Sequence, residues 1–520
     1  MLPATGSYET LKSGFAWDIP KHLNMASQVC DDWAETDPDR VAIIDATGSE
    51  LRNVSYGELK SLADGLANHL SLTIKRGDRV GVLRSQSVWT AAAHIAVWKL
   101  GAISIPLFKL FAEDALKTRL NDASAKLVVT DKDGAALVER LGFDACIPEE
   151  LSLTNQPFTT TNTLSEDPAV LIYTSGTTGS PKGALHAHRV LTGHLPGVEM
   201  SHDRLGQNGD VLWTPADWAW IGGLFDVLMP GLALGVPVVA SRADKFDASQ
   251  CQQLIARTGV RNIFFPPTAL RMLKAEGASI NGLRSIASGG EPLGAEMLVW
   301  GQAAFGLTIN EFYGQTECNM IASSASSMFD PAPGCIGKPV PGHALAVLDE
   351  QGFPTDGEGD IAVAKGSASM MLEYWNRPSA TVSKFKGDWM LTGDRGVWDG
   401  DYLRFVGRED DVITSAGYRI GPAEIEDCLL KHPAVATVGV VGKPDDLRTE
   451  IVKAYVVLKG AHSASDTLQE DLANFVKERL SKHSYPREIS FVDALPMTVT
   501  GKIIRKDLKA RAIAEKEQGL

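Results

Sequence analysis

The chain has 520 residues, 44% of them hydrophobic and 22% charged, with a formal net charge of −14. That length exceeds one compact core, so two or more domains are expected, and the composition excludes a disordered chain. The acidic balance, with no basic stripe against it, argues against a nucleic-acid surface, while local lysines and arginines still permit an anionic small substrate.

The six cysteines (Cys30, Cys146, Cys251, Cys318, Cys335, Cys428) include no C-x-x-C pair. Neither a zinc knuckle nor a disulfide framework fits that spacing, so a reducing, cytoplasmic setting is expected. The opening "MLPATGSYETLKSG" lacks the apolar core of a signal peptide. No uninterrupted apolar run approaches the roughly 20 residues that cross a bilayer, and "VLMPGLALGVPVVA" is broken by Pro and Gly.

In chain order, helical and strand-like patterns alternate, as in α/β proteins. "VSYGELKSLADGLANHL" has helical spacing of its apolar residues, and "DRVGVLRS" follows as a strand. "WTAAAHIAVWKLGA" reads as helix, then "ISIPLF" as extended chain. "PAVLIYT" is a short β-prone run that leads into "SGTTGSPKG". Such a Gly/Ser/Thr loop is by composition a linker. A strand running into it and a lysine, Lys182, closing it suggest instead an anion cradle, with a helix expected after the lysine. It is not a Walker A loop, because Gly183 follows Lys182 where that pattern has Ser or Thr.

Four later stretches each have a plain reading. "SGGEPL" is a turn after the strand "LRSIAS", "EFYGQTEC" a strand end with Tyr313 in the core, "LTGDRGVW" a tight turn capped by Asp394, and "PMTVTGKIIRKDLK" a solvated basic helix. A seam falls near "FVGREDDVITSAGYRIG", after a turn-rich region with "DEQGFPTDGEGD". Beyond it "GPAEIEDCLLKHPAVATVGVVG" reads as helix then strand, opening a last unit of domain size.

Taken together and in order, these stretches resemble the motifs of the adenylate-forming superfamily: acyl-CoA synthetases, peptide-synthetase adenylation domains and luciferases. The resemblance runs from about residue 165 to 510 and is carried by the Thr174–Gly183 loop, "YGQTE", "TGD", "GREDD…SAGYRIGPAEIE" and the late "GK". It implies an α/β fold, with a large N-terminal α/β domain over residues 1–409 and a small mobile α+β domain over 410–520, hinged at Asp410.

The same resemblance implies roles. Thr174, Ser175, Gly176, Thr177, Thr178, Gly179 and Lys182 would hold the β- and γ-phosphates of ATP. Gly290, Glu291 and Pro292 would sandwich adenine against the face of Tyr313, with Glu311, Phe312, Gly314 and Gln315 in the same nucleotide-binding stretch. Thr316 would bind phosphate and Glu317 would hold magnesium. Asp394 would accept from both ribose hydroxyls, assisted by Arg408. Lys502 would bridge the substrate carboxylate and the α-phosphate, and Arg419 would hold phosphate. Ala416 and Gly417 would let the pantetheine arm of CoA pass, and Lys477 would pair with its 3′-phosphate, although a solvated helix charge explains Lys477 equally well.

The expected reaction is AMP-forming ligation of a carboxylic acid to CoA, with ATP, magnesium and CoA required. Trp220, Ile221 and Gly222 would line the acyl group, and Trp218 and Trp220 serve as well for plain core aromatics. Gly314 stands where acetate-specific relatives carry a tryptophan, so its missing side chain is expected to leave room for a longer acid. The closing "SYPREISFVDALPMTVTGK" resembles medium-chain and benzoate-type ligases, which makes a medium-chain fatty acid the first choice and branched or aromatic acids the next. The rivals are an amino-acid-adenylating domain, disfavoured by Gly222 at the position of the needed carboxylate, a ligase loading a carrier protein, and a nucleotide-binding sensor. A homo-oligomer is left open.

Overall fold

The computed structural model describes the chain except residues 4, 175–180, 242–245, 409–410, 416–417, 446–448, 480–484, 499–500 and 519–520. Its described strands gather into sheets of nine, seven, five and five strands.

The seven-stranded sheet is largely parallel at its centre. Arg79–Leu83 runs between Ile103–Leu107 and Leu127–Thr130, all in parallel register. These are the "DRVGVLRS" and "ISIPLF" runs, continuous in apolar side chains because helices cover both faces, Tyr56–Leu70 and Val88–Lys99 on one and Glu113–Ala123 and Lys132–Arg140 on the other. Ser55 and Ser87 cap those two helices by accepting from Glu58 and Thr90 backbone N–H groups.

At the edge of this sheet the structure departs from the sequence reading. Lys182 opens a strand, Lys182–Ala187, and not a helix. It pairs antiparallel with Pro168–Thr174, Thr174 facing Lys182, and Glu373–Tyr374 pairs along its other side. With ladder partners on both edges, "KGALHA" satisfies its backbone as a strand, and the helix starts only at Val190. The Gly-rich stretch therefore lies in sequence between two antiparallel strands, Pro168–Thr174 and Lys182–Ala187.

The nine-stranded sheet stacks Ser285–Gly289, Ile309–Gln315 and Asn319–Ser323 side by side. Its parallel strand Ser285–Gly289 ends at the "GGEPL" turn, and Ile309–Gln315 ends at the Thr316–Glu317 turn. Both motifs thus sit at the carboxyl ends of neighbouring strands, where open α/β sheets form their crevices.

A five-stranded antiparallel sheet contains Trp389–Asp399 and Tyr402–Arg408, which place Asp394 opposite Arg408. The last sheet is built on the long pair Val435–Asp445 and Thr449–Leu458. Its own buried cluster, with Ile425, Leu429, Val440, Val456, Leu472 and Ile489, gives the C-terminal part a separate core. All six cysteines are buried and free. No helix among the described residues is long and apolar enough to cross a membrane.

Candidate active site

Lys502 comes from the C-terminal part on a tight turn. Thr498 N–H donates to Lys502 O at 2.7 Å, and Lys502 N–H to Thr498 Oγ1 at 3.0 Å. The turn sets the lysine in a narrow recess lined by Trp220, Pro266, Thr268, Gly289, Gly290 and Glu291. Its Nζ stands 6.0 Å from the Trp220 ring centroid. Burial pushes the Lys502 ammonium below its ordinary pKa, while the Glu291 and Asp394 carboxylates pull it back up. A cation held beside carboxylates in a poorly hydrated recess is positioned to meet an incoming anion.

The floor of the recess is the "GGEPL" turn. Gly290 has φ +97°, which favours glycine, and a Cβ there would come within 3.2 Å of the Trp220 ring. Glu291 pairs with Arg271 Nη1 at 3.0 Å, and Arg271 also donates to Pro292 O. Glu311 turns back to accept from Leu293 N–H at 3.0 Å, and burial raises its carboxyl to about 7. Glu311 thus fastens this turn to the neighbouring strand. Phe312 is core: its ring packs on Phe264 with centroids 5.2 Å apart.

Tyr313 and Asp394 meet directly, the phenol donating to Asp394 Oδ2 at 2.5 Å. Arg408 Nε lies 3.7 Å from the other carboxylate oxygen. Desolvation raises the Asp394 pKa, with Arg408 lowering it. Gln315 donates to Thr392 O at 3.0 Å, which ties the "YGQTE" strand end to the "TGD" strand.

On the other side Glu317 is 8% exposed, and the Tyr374 hydroxyl donates to its Oε1. Lys182 Nζ lies 5.4 Å from the centroid of the same Tyr374 ring. Strand pairing explains this meeting, since Tyr374 faces Ala184 two residues beyond Lys182. Thr174 Oγ1 donates to Lys182 O at 3.3 Å, closing the hairpin neck. The Glu317 carbonyl accepts from Met371 N–H at 2.8 Å.

Gly314 requires a correction. A Cβ built on it would sit 1.7 Å from the Asn319 carbonyl oxygen and 2.7 Å from Met320 N. Glycine stands there because the returning strand passes against it, and its missing side chain opens no room for an acid. Trp220 is half-buried against the recess, whereas Trp218 is fully buried core. Ile221 and Gly222 follow in a short helical turn, and a Cβ at Gly222 would meet the Trp220 ring at 2.6 Å.

Lys477 lies on the exposed end of the helix Asp466–Arg479, 5.4 Å from the Tyr485 ring. It is not among the residues of the Lys502 recess. Ser175, Gly176, Thr177, Thr178, Gly179, Asp410, Ala416 and Gly417 lie outside the described residues, as does the side chain of Arg419. Tyr374 and Arg271 stand in "LEYWN" and "ALRML", which carry no motif, and only tertiary pairing brings these residues in.

Residues 30–375 match the model of the AMP-binding enzyme family, and residues 424–502 match that of the AMP-binding enzyme C-terminal domain. The chain belongs to the AMP-binding enzyme family. It is an enzyme of the acyl-CoA synthetase kind. An acetyl-coenzyme A synthetase of Bacillus subtilis is 34% identical over 94% of this chain and 90% of its own. The mitochondrial acyl-coenzyme A synthetase ACSM3 of Rattus norvegicus is 32% identical over 97% of this chain and 93% of its own. Among solved structures, the anthranilate CoA ligase AuaEII in complex with anthranoyl-AMP has a TM-score of 0.86 at 27% identity, covering 97% of this chain and 99% of that one. This family member therefore has the α/β architecture expected of it, a large N-terminal part followed by a smaller C-terminal one.

Proposed function

We propose that the chain adenylates a carboxylic acid with MgATP and passes the acyl group to CoA, and that the acid is a medium-chain fatty acid. The observation that carries the reading is Lys502, delivered by the C-terminal part into a recess whose floor is the "GGEPL" turn. Residues 1–409 then form the nucleotide- and acyl-binding unit and 410–520 the mobile unit that brings the lysine, with Asp410 as hinge.

In the first half a carboxylate oxygen attacks the α-phosphorus, the bond to the bridging oxygen breaks and pyrophosphate leaves. Carboxylate and phosphate are both anions, so the work is charge neutralisation and alignment. Lys502 supplies the positive charge between them, with Arg419 and Lys182 on the phosphates. Asp394 and Arg408 would take the ribose, and Gly290 the adenine. Glu317 fits a magnesium ion, because magnesium takes one or two carboxylates together with phosphate oxygens and water. The ion would neutralise charge on the phosphates of ATP. In the second half the CoA sulfur attacks the acyl carbonyl carbon, AMP departs and the thiol proton passes to solvent.

The likeness of residues 484–502 to medium-chain and benzoate-type ligases supports a medium-chain acid as the first reading. An aryl acid is the second reading, favoured by the aromatic run of Trp220 on Phe264, 5.6 Å between centroids, and Phe264 on Phe312. A cytoplasmic setting fits the unpaired cysteines.

The test is pyrophosphate release from MgATP across acids from acetate to dodecanoate, with benzoate and isobutyrate, each with and without CoA. A CoA-dependent optimum at medium length supports the reading. Release indifferent to CoA points to another acceptor such as a carrier protein, and no release across the panel overturns the medium-chain reading in favour of an acid outside the panel or a protein that only binds.

A further inference from the structure

Behind the turn that carries Thr316 and Glu317 lies a buried polar group that the proposed reaction does not use. Asn319 has φ +46°, in the left-handed region that non-glycine residues seldom enter. Its Nδ2 donates to Asp226 Oδ1 at 2.6 Å and also reaches His194 Nδ1. Asn319 is 4% exposed, Asp226 3% and His194 0%.

The three residues come from different elements. His194 lies on the helix Val190–Ser201, and Asp226 on the turn Leu224–Leu228 that continues from Trp220, Ile221 and Gly222. Asn319 opens the strand Asn319–Ser323, two residues after Glu317, and its carbonyl closes over Gly314. The carbonyls of Glu317 and Cys318 are held from another direction, by Met371 N–H and Ser369 Oγ. Asn319 is thus the tie between this turn and the wall assigned to the acyl group.

Such a tie resists loosening. Separating Asn319 from Asp226 in this dry setting would leave buried polar groups unpaired, which costs more than the bond itself contributes. Gly222 lies one helical turn before Asp226, so a shift of Ile221 and Gly222 to admit an acid carries Asp226 with it. Asn319 follows, and Glu317 stands at the other end of the same short turn.

We propose that Asn319 and Asp226 are positioning residues that couple the acyl wall to Glu317, so that acid and the magnesium nucleotide bind cooperatively. The proposal rests on the ligase reading of the site. By linkage each substrate then strengthens the binding of the other by the same factor, for which about tenfold is a typical coupling.

The experiment uses the full-length chain and a magnesium complex of α,β-methylene ATP, which cannot form an adenylate. Its dissociation constant is measured by calorimetry with and without the acid that releases pyrophosphate fastest. Asn319→Gly keeps the left-handed backbone open to the chain and removes the side-chain bonds. Asp226→Leu keeps roughly the size of the group and removes the oxygen that accepts from Asn319 Nδ2. In the wild type the acid is expected to tighten the analogue about tenfold, and in Asn319→Gly less than twofold, with thermal melting still cooperative. Asp226→Leu must also weaken the coupling, which decides the matter if Asn319→Gly does not fold. A merely structural role would lower the melting temperature and leave the ratio of the two dissociation constants unchanged, and that result overturns the proposal. Absent coupling in a wild type that still releases pyrophosphate overturns it alone, whereas absent nucleotide binding together with absent pyrophosphate release overturns the ligase reading with it.

Discussion

The Tyr374 hydroxyl donates to Glu317 Oε1, and the face of the same ring carries Lys182 with Nζ 5.4 Å from its centroid. One aromatic side chain therefore orients both the carboxylate assigned to magnesium and the lysine assigned to phosphate. Groups that orient a metal-holding carboxylate typically matter about 10- to 100-fold in metal affinity. Tyr374→Phe keeps the ring beneath Lys182 and removes only the bond to Glu317. It is expected to raise the magnesium concentration for half-maximal pyrophosphate release about tenfold, with conversion of a supplied acyl-adenylate unchanged. An unaltered magnesium titration would show that Glu317 is oriented by other groups.

Lys502 enters its recess from a turn of the C-terminal part, beside Glu291 and Trp220. On the proposed reaction its positive charge serves while two anions are forced together, and that role ends once the adenylate exists. Lys502→Ala should therefore lose adenylation by about a hundredfold or more, the scale of one charge-stabilising group in a transition state. Thioester formation from supplied acyl-adenylate and CoA should continue near the wild-type rate. Equal loss in both half-reactions would disprove the division of labour.

How far the sequence was legible depended on the kind of signal. Buried strands such as Ile103–Leu107 and capped helices such as Tyr56–Leu70 announce themselves through local residue patterns. Motif order along the chain marks Asp394, Arg408 and Lys502, and the structure sets Asp394 beside Arg408 and Lys502 beside Glu291. The strand at Lys182–Ala187 was not legible, because its state is decided by the ladder partners Pro168–Thr174 and Glu373–Tyr374, the second almost two hundred residues away. Gly314 was misread for a related reason, since a missing side chain looks the same in sequence whether it leaves space or makes way for backbone. Only packing shows that Tyr374 meets Glu317 and that Asn319 meets Asp226.

The correction at Gly314 has its own consequence. A side chain there must displace the Asn319 backbone, so Gly314→Ala is expected to destabilise the fold by about 3 kcal/mol, the upper range for overpacking, without shifting the preferred acid length. Urea unfolding measures the first and the acid panel the second. A stable variant that turns toward acetate would restore the plugged-pocket reading.

Trp220 is the better candidate for setting pocket length, because its ring stands against Gly290, Gly222 and Lys502. Trp220→Ala should move the optimum to longer or bulkier acids. Each further buried methylene contributes roughly 0.8 kcal/mol, so two more carbons would give a gain of about tenfold in kcat/KM. The chain-length profile of kcat/KM reads this directly, and an unmoved optimum would place the end of the pocket elsewhere.

Glu311 makes stability depend on pH in a direction that can be worked out. Burial raises its carboxyl from the usual 4.5 to about 7 in the folded chain, so between these values the folded state keeps a proton that the unfolded state has lost. Stability contributed by that proton is present in full below pH 4.5, declines as pH rises toward 7 and is gone above it. The span corresponds to roughly 3 kcal/mol. Buried histidines such as His186 and His202, whose pKa values burial lowers to about 3, act in the opposite sense and mask the trend in the wild type alone. The informative quantity is therefore the difference between wild type and Glu311→Gln, whose amide oxygen still accepts from Leu293 N–H. The unfolding free energy of wild type minus variant should fall by about 3 kcal/mol from pH 5 to pH 8, as followed by urea titration. A difference that stays level across that range would mean that Glu311 is ionised throughout, with charge compensation beyond the single Leu293 bond.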